Sequence, residues 1–179
     1  MSITACIRVK SRVRGQTGGH KMASRINFEV KSHVDEFMDA VVEKMPLILK
    51  SIGQTAEGYA KEDCPVDTGL LRNSITYAIS GESPAISTYS ADKPDESGVV
   101  RTGAYDGATE PEEEEKCYSL LLGSNVVYAP AQEMNDQYNH TVGKAHFLRD
   151  ALQNHRQEYK EIIEAVLLTV PGVNGSNGG

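Results

Sequence analysis

The chain has no tryptophan, only three cysteines, and no apolar run near the length of a membrane span. The last absence removes a transmembrane helix, which needs roughly 20 consecutive apolar residues. The N-terminus also lacks the apolar core of a secretory signal. Cys6, Cys64 and Cys117 are widely spaced, odd in number and form no CxxC pair. That argues against a zinc ribbon or a disulfide framework and for a soluble protein of a reducing cytoplasm. The lack of tryptophan and of a clustered aromatic platform weighs against a dedicated nucleic-acid reader. Apolar residues make up 39% of the chain, below the usual globular range but above that of disordered chains. At 179 residues one domain is expected. It can bury about two-thirds of its unfolded surface and needs no metal or disulfide to hold a core.

What is present is unevenly charged. The net charge is −7, yet residues 1–25 carry Arg8, Lys10, Arg12, Arg14, Lys21 and Arg25 and no acid, so this arm is +6 and the remainder −13. Much of the acid lies in residues 81–116, densest at Glu110, Glu112, Glu113, Glu114 and Glu115. Opposite patches on one small chain point to contacts with other charged surfaces, including copies of itself. Solvated tails and loops carry the same pattern.

Hydrophobic spacing predicts the elements. Ile3, Ala5, Ile7, Val9 and Val13 alternate with polar and basic residues, the period of a strand. A glycine-rich turn follows, and Ile26, Phe28 and Val30 alternate again, so residues 2–14 and 24–31 read as a hairpin. Residues 32–63 read as a helix capped by Ser32, with Val34, Phe37, Met38, Val41, Val42, Met45, Ile48, Leu49, Ile52, Ala56, Tyr59 and Ala60 on one stripe. Pro46 predicts a kink or restart within it, and Pro65 ends it. Strands follow at about residues 74–80 and 117–123. Between them the acidic insertion forms no core, with room for an accessory hairpin around Ala85, Ile86, Val99 and Val100. A last helix runs over residues 144–168, and 171–179 form a flexible polar tail. The fold class is α+β: an antiparallel sheet packed by a long N-terminal helix and a C-terminal helix, a single domain over residues 1–170 with a basic hairpin at 1–31 and the acidic insertion at 81–116.

Catalytic and metal-binding patterns are not met. Residues 15–21 read GQTGGHK, but a phosphate-binding loop needs glycine before its lysine and serine or threonine after it. His20 and Met22 flank Lys21 instead. His140, His146 and His155 with Glu133 match neither an i, i+4 pair nor a zinc finger. His155 falls on the apolar stripe of the last helix, where a half-buried, satisfied imidazole is expected. Cys64 and Cys117 read as small buried thiols. The glutamate run lacks the geometry of a calcium loop. The sequence therefore argues against an enzyme and implies no cofactor. Six positive charges could neutralise phosphates, but the overall acidity argues against a dedicated nucleic-acid reader.

Three stretches in order carry a resemblance: residues 60–75, AKEDCPVDTGLLRNSI; residues 126–133, VVYAPAQE; and residues 145–152, AHFLRDAL. A helix ending in "aPvdTGxLrxSI", a "YAxxxE" strand end, and "xxFLrxAL" opening the last helix resemble the tail-completion, or neck, proteins of long-tailed bacteriophages. The matching positions are Pro65, Asp67, Thr68, Gly69, Arg72, Tyr128, Glu133, Phe147 and Leu148. Two departures stand out: Met134 and Asn135 replace a usual Gly-Thr, and the acidic insertion lengthens a hairpin that is usually short.

The resemblance implies a small non-enzymatic α+β virion protein, assembled in the host cytoplasm. It would form a ring, expected to be a hexamer, between the head connector or stopper and the tail tube or terminator, with genomic DNA crossing the ring without specific binding. A tail terminator is the near alternative, and a DNA-binding accessory protein the more distant one. Physically, Pro65 would preset a turn, Asp67 or Thr68 would accept backbone N–H bonds, and Gly69 would take a backbone angle others resist. Arg72 would pair with a carboxylate, Glu133 being the candidate, and Phe147 and Leu148 would anchor the last helix on the sheet. Arg8, Lys10, Arg12 and Arg14 of one subunit would face Glu112, Glu113, Glu114 and Glu115 of the next, closing the ring by unlike patches.

Overall fold

The computed structural model describes residues 2–8, 34–105 and 117–170. In chain order these form β1 (Ser2–Arg8), α1 (Val34–Asp63), α2 (Leu70–Ser74), β2 (Thr76–Ile79), β3 (Thr88–Ser90), β4 (Thr102–Ala104), β5 (Cys117–Gly123), α3 (Ala129–Met134), α4 (Phe147–Asn154) and α5 (Arg156–Leu167). The fold is α+β. One antiparallel sheet has the order β1-β5-β2, and β3 and β4 form a second, two-stranded sheet. No described helix is long and apolar enough to cross a membrane.

Alternation of apolar side chains selects β2 and the central strand β5. Tyr77 pairs with Leu122 and Ile79 with Leu120, and all four are buried. Cross-strand neighbours of this kind are the unit of sheet stability. Thr76 and Ala78, on the opposite side of β2, are also buried, so this strand is covered on both faces. The partner of β1 is β5, with Ser2 opposite Gly123 and Arg8 opposite Cys117. Residues 9–14 of the first arm of the expected N-terminal hairpin and its whole second arm, 24–31, lie outside the described residues, as do Ser32 and the tail at 171–179.

α1 runs through Pro46 without a restart. Proline removes one N–H bond, but Pro46 is exposed while Met45, Ile48 and Leu49 beside it are buried, and packing outweighs one lost bond. Ile52, Ala56 and Ala60 continue the buried stripe. Its first half departs from expectation: Phe37 is 38% exposed and Val42 is exposed as well. A 30-residue helix is about 45 Å long, whereas the seven residues of β5 reach about 23 Å. The helix is simply longer than the sheet it covers.

The single C-terminal helix expected over 144–168 is instead two, broken at His155 (φ −103°, ψ 21°). The His155 ring stacks on Tyr59 of α1 at 3.3 Å and 12°. The Tyr59 hydroxyl donates to Glu158 at 2.6 Å. Across the break, the Tyr159 hydroxyl donates to the Ala151 carbonyl at 2.6 Å, satisfying an acceptor that the end of α4 leaves open. Apolar spacing carries on through the break, which is why the stripe conceals it. The imidazole is half-buried and partnered, as its place on the stripe predicts.

The accessory hairpin exists, but as 88–90 with 102–104, a few residues from the expected apolar pairs. It is tied to the main body. Asn73 donates to Ser90 O and Asp92 Oδ1 at 2.9 and 2.8 Å. Tyr89 donates to Asn125 at 2.5 Å, Asn125 donates to Ala104 O at 2.8 Å, and the Tyr105 hydroxyl donates to the Ser74 carbonyl. Ala91 is buried. The first half of the acidic insertion is therefore part of the folded unit.

Cys64 closes α1 with no exposed surface. Burial pushes its thiol up to about 12, so the reactive thiolate is scarce at neutral pH. Peptide-resolved alkylation at pH 8 should label Cys64 only after denaturation; rapid labelling of the native chain at this residue would contradict the packing.

Candidate functional site

The three motif stretches meet at one end of the domain. After Cys64 and Pro65 the chain turns through Val66, Asp67, Thr68 and Gly69 into α2. Gly69 has φ 86°, ψ −6° at the N-cap position, and no side chain caps this helix. The positive φ expected of Gly69 is therefore present, while the capping bond expected of Asp67 or Thr68 is not. It is the Thr68 carbonyl that is used, accepting from the backbone N–H groups of Asp92 and Lys93 at 2.8 and 3.2 Å. A side chain at Gly69 would run into the Asp92 carboxylate.

Arg72 pairs with Asp92, Nη2 to Oδ2, at 2.6 Å, and not with Glu133. The hydrogen bond from Asn73, supported by the charge of Arg72, holds the Asp92 carboxyl below its usual range. The insertion brings Asp92 beside α2, so a carboxylate twenty residues away in sequence takes the place expected for Glu133.

Glu133 has another task. The YAxxxE stretch is not a strand end; with Pro130 in its first turn it forms the six-residue helix α3, starting from Tyr128. Glu133, only 2% exposed, aims its carboxylate at the start of α4. Its Oε2 accepts the Leu148 N–H at 3.0 Å, and its Oε1 accepts the Arg149 N–H at 3.1 Å. Its carbonyl accepts the His146 N–H at 2.9 Å. These are donors that a helix N-terminus cannot satisfy internally, and a negative charge there also complements the helix dipole. Phe147 and Leu148 are thereby held fully buried. α4 packs on α1 and also meets β1, and both side chains belong to the core cluster that joins α1 to Leu120 and Leu122 of the sheet.

The third junction is made by Gly143, φ 82°, whose α-carbon lies so close to the backbone of Cys64 and Pro65 that no side chain fits. Next to it the Lys144 N–H donates to the Asp63 carbonyl at 2.9 Å, and the Lys144 ammonium pairs with Asp63 at 2.8 Å. The loop before α4 is thus fastened to the end of α1.

Between these fastened parts runs a groove of about 500 Å³, walled by residues 65–71, by Tyr128 and Gln132, and by residues 138–142. On its walls Tyr138 and Val142 are about half exposed, and Val127 and Met134, close in sequence to the lining residues Tyr128 and Gln132, are 96% and 62% exposed. Burial first, with the charge of Asp67 among lesser causes, raises the Tyr128 phenol above its usual value. His140 Nε2 is enclosed and has no hydrogen-bond partner among the described residues. A second cleft shares Asp67 and Thr68 with the groove and continues past Pro94, Glu96 and Arg101.

The cysteine and histidines lie apart from one another in role. The Cys64 thiol donates to the Pro65 carbonyl at 3.4 Å, His146 pairs with Asp136 at 2.8 Å, and His155 is stacked on Tyr59. Among the described residues no three His, Cys, Asp or Glu side chains group as a metal site. Exposed apolar and tyrosine side chains beside carboxylates suit the docking of another polypeptide. Of the expected interface residues, Arg8 closes β1 in backbone register with Cys117. Lys10, Arg12, Arg14 and Glu112, Glu113, Glu114 and Glu115 lie outside the described residues. Asp92, Gly143 and Val127 were not singled out by sequence, and nothing in their local pattern marks them. No family model, curated protein or solved structure matches this chain.

Proposed function

We propose that this chain is a structural subunit of the neck of a long-tailed phage, forming a ring that completes the tail and joins it to the head connector. The observation that supports the reading is the convergence of the three resembling stretches. The Pro65 turn, the Glu133 carboxylate and the Phe147 end of α4 build a single junction, fastened through Gly143 and Lys144. Stretches that together specify one tertiary feature carry more weight than three separate short matches. The exposed apolar rim beside that junction suits a chain that works by docking to neighbours, since single apolar residues are common on surfaces but clusters mark interfaces.

Light scattering on the purified full chain should give one discrete multimer, and negative-stain images should show rings. Peptides from the chain should appear in purified virions, with antibody labelling at the head–tail junction. A chain that stays monomeric at all concentrations and is missing from virions would end this reading.

A further inference from the structure

We infer that the groove beside Asp67 receives the basic arm, residues 9–14, of a second copy of this chain. The inference rests on the reading of the chain as a self-assembling subunit and names the contact that joins two subunits. Asp67 is exposed and has no hydrogen bond or ion pair among the described residues, and the same holds for Glu96 in the adjoining cleft. The neighbouring guanidinium groups are already engaged, Arg72 by Asp92 at 2.6 Å and Arg101 by Asp95 at 2.7 Å. Two open carboxylates therefore line adjoining clefts that share Asp67 and Thr68, with Tyr128 and Tyr138 on the walls of the groove.

The occupant follows from charge and pattern. Residues 9–14 read VKSRVR, and the first 25 residues hold six positive charges and no negative one. In an extended peptide alternate side chains face opposite ways, so Val9 and Val13 share one side and Lys10, Arg12 and Arg14 the other. The apolar side matches the exposed Val142 on the groove wall. The basic side matches Asp67 and Glu96, with guanidinium groups able to grip carboxylates in a planar fork and to lie on tyrosine faces. Arm and groove are different surfaces, so repeating the contact from copy to copy is head-to-tail, the kind of contact that builds a ring where the rotation closes. Exposed ion pairs are individually weak and screened by salt, so the association should loosen steeply as salt rises.

The test uses two full-length variants and light scattering. D67K/E96K spoils the groove at two exposed positions, and R12E/R14E spoils the arm; far-UV circular dichroism checks that each variant folds. Neither variant should assemble alone. Mixed in equal amounts, they should form dimers, because each pair retains one intact arm and one intact groove. A labelled peptide of residues 8–14 should bind the full R12E/R14E chain about tenfold more weakly once Asp67→Asn is added, the loss of one charge-assisted contact. Assembly of D67K/E96K as in the wild type would overturn the inference while leaving the ring itself, and hence the neck reading, standing. Monomers in the mixture would also overturn it, since an arm docked in its own groove gains nothing from a partner. A wild-type chain that never assembles would remove both.

Discussion

Replacing Phe147 with alanine should lower the unfolding free energy by about 3–5 kcal/mol, the range for deleting a fully buried aromatic side chain. Phe147 has no exposed surface and belongs to the core cluster that includes Ile48, Leu49, Ile75 and Leu122. It is also the first residue of α4, so the cavity would open where the helix is fastened to α1. Domains of this kind are stable by roughly 5–15 kcal/mol, and the variant should unfold at much lower urea with an unchanged m-value. Phe37→Ala is the control: the same change at a position 38% exposed should cost about 1 kcal/mol, in proportion to the smaller area removed from water. Equal losses at the two positions would mean that the core does not lie where the packing puts it.

Glu133→Ala should be nearly as damaging, at about 3 kcal/mol. The alanine leaves the Leu148 and Arg149 N–H groups without their acceptor, and an unsatisfied buried donor costs about 1–3 kcal/mol. Glu133→Gln keeps a carbonyl for one of them and should lose about 1 kcal/mol, in line with measured helix caps. Amide exchange would localise the effect, with protection at Leu148 and Arg149 falling before that of α1. A double-mutant cycle separates this role from the ion pair anticipated from sequence. Coupling between Glu133 and Arg72 should be near zero, while Arg72 and Asp92 should couple by about 0.5 kcal/mol, as exposed pairs do. Strong coupling of Arg72 to Glu133 would refute the capping assignment.

Glu133 also illustrates how a correct residue can carry the wrong role. Its place in YAxxxE marks it as special, and the structure agrees, but the partners are two backbone N–H groups fifteen and sixteen residues on. Backbone donors leave no trace in a sequence, because every residue except proline has one. Asp92 is the converse case: a plain acidic residue in a polar insertion, made important only because the insertion folds back on α2. Gly69 lies between the two. A Thr-Gly at a helix stop announces a turn, and its positive φ is present, but the crowding by Asp92 is not foreseeable.

From the sequence alone came the α+β class, the long first helix, the pairing of β2 with β5, an accessory hairpin and the inert burial of Cys64. These follow from periodicity and from the limits of proline and glycine, properties a segment carries within itself. Tertiary structure alone decided that β1 joins β5, that the last helix breaks at His155 to stack on Tyr59, that Arg72 holds Asp92, and that Glu133 caps α4 beside a groove. Each of those is a choice among several acceptable partners far along the chain. Such choices are settled only when the whole core packs and every buried polar group must find its partner at once.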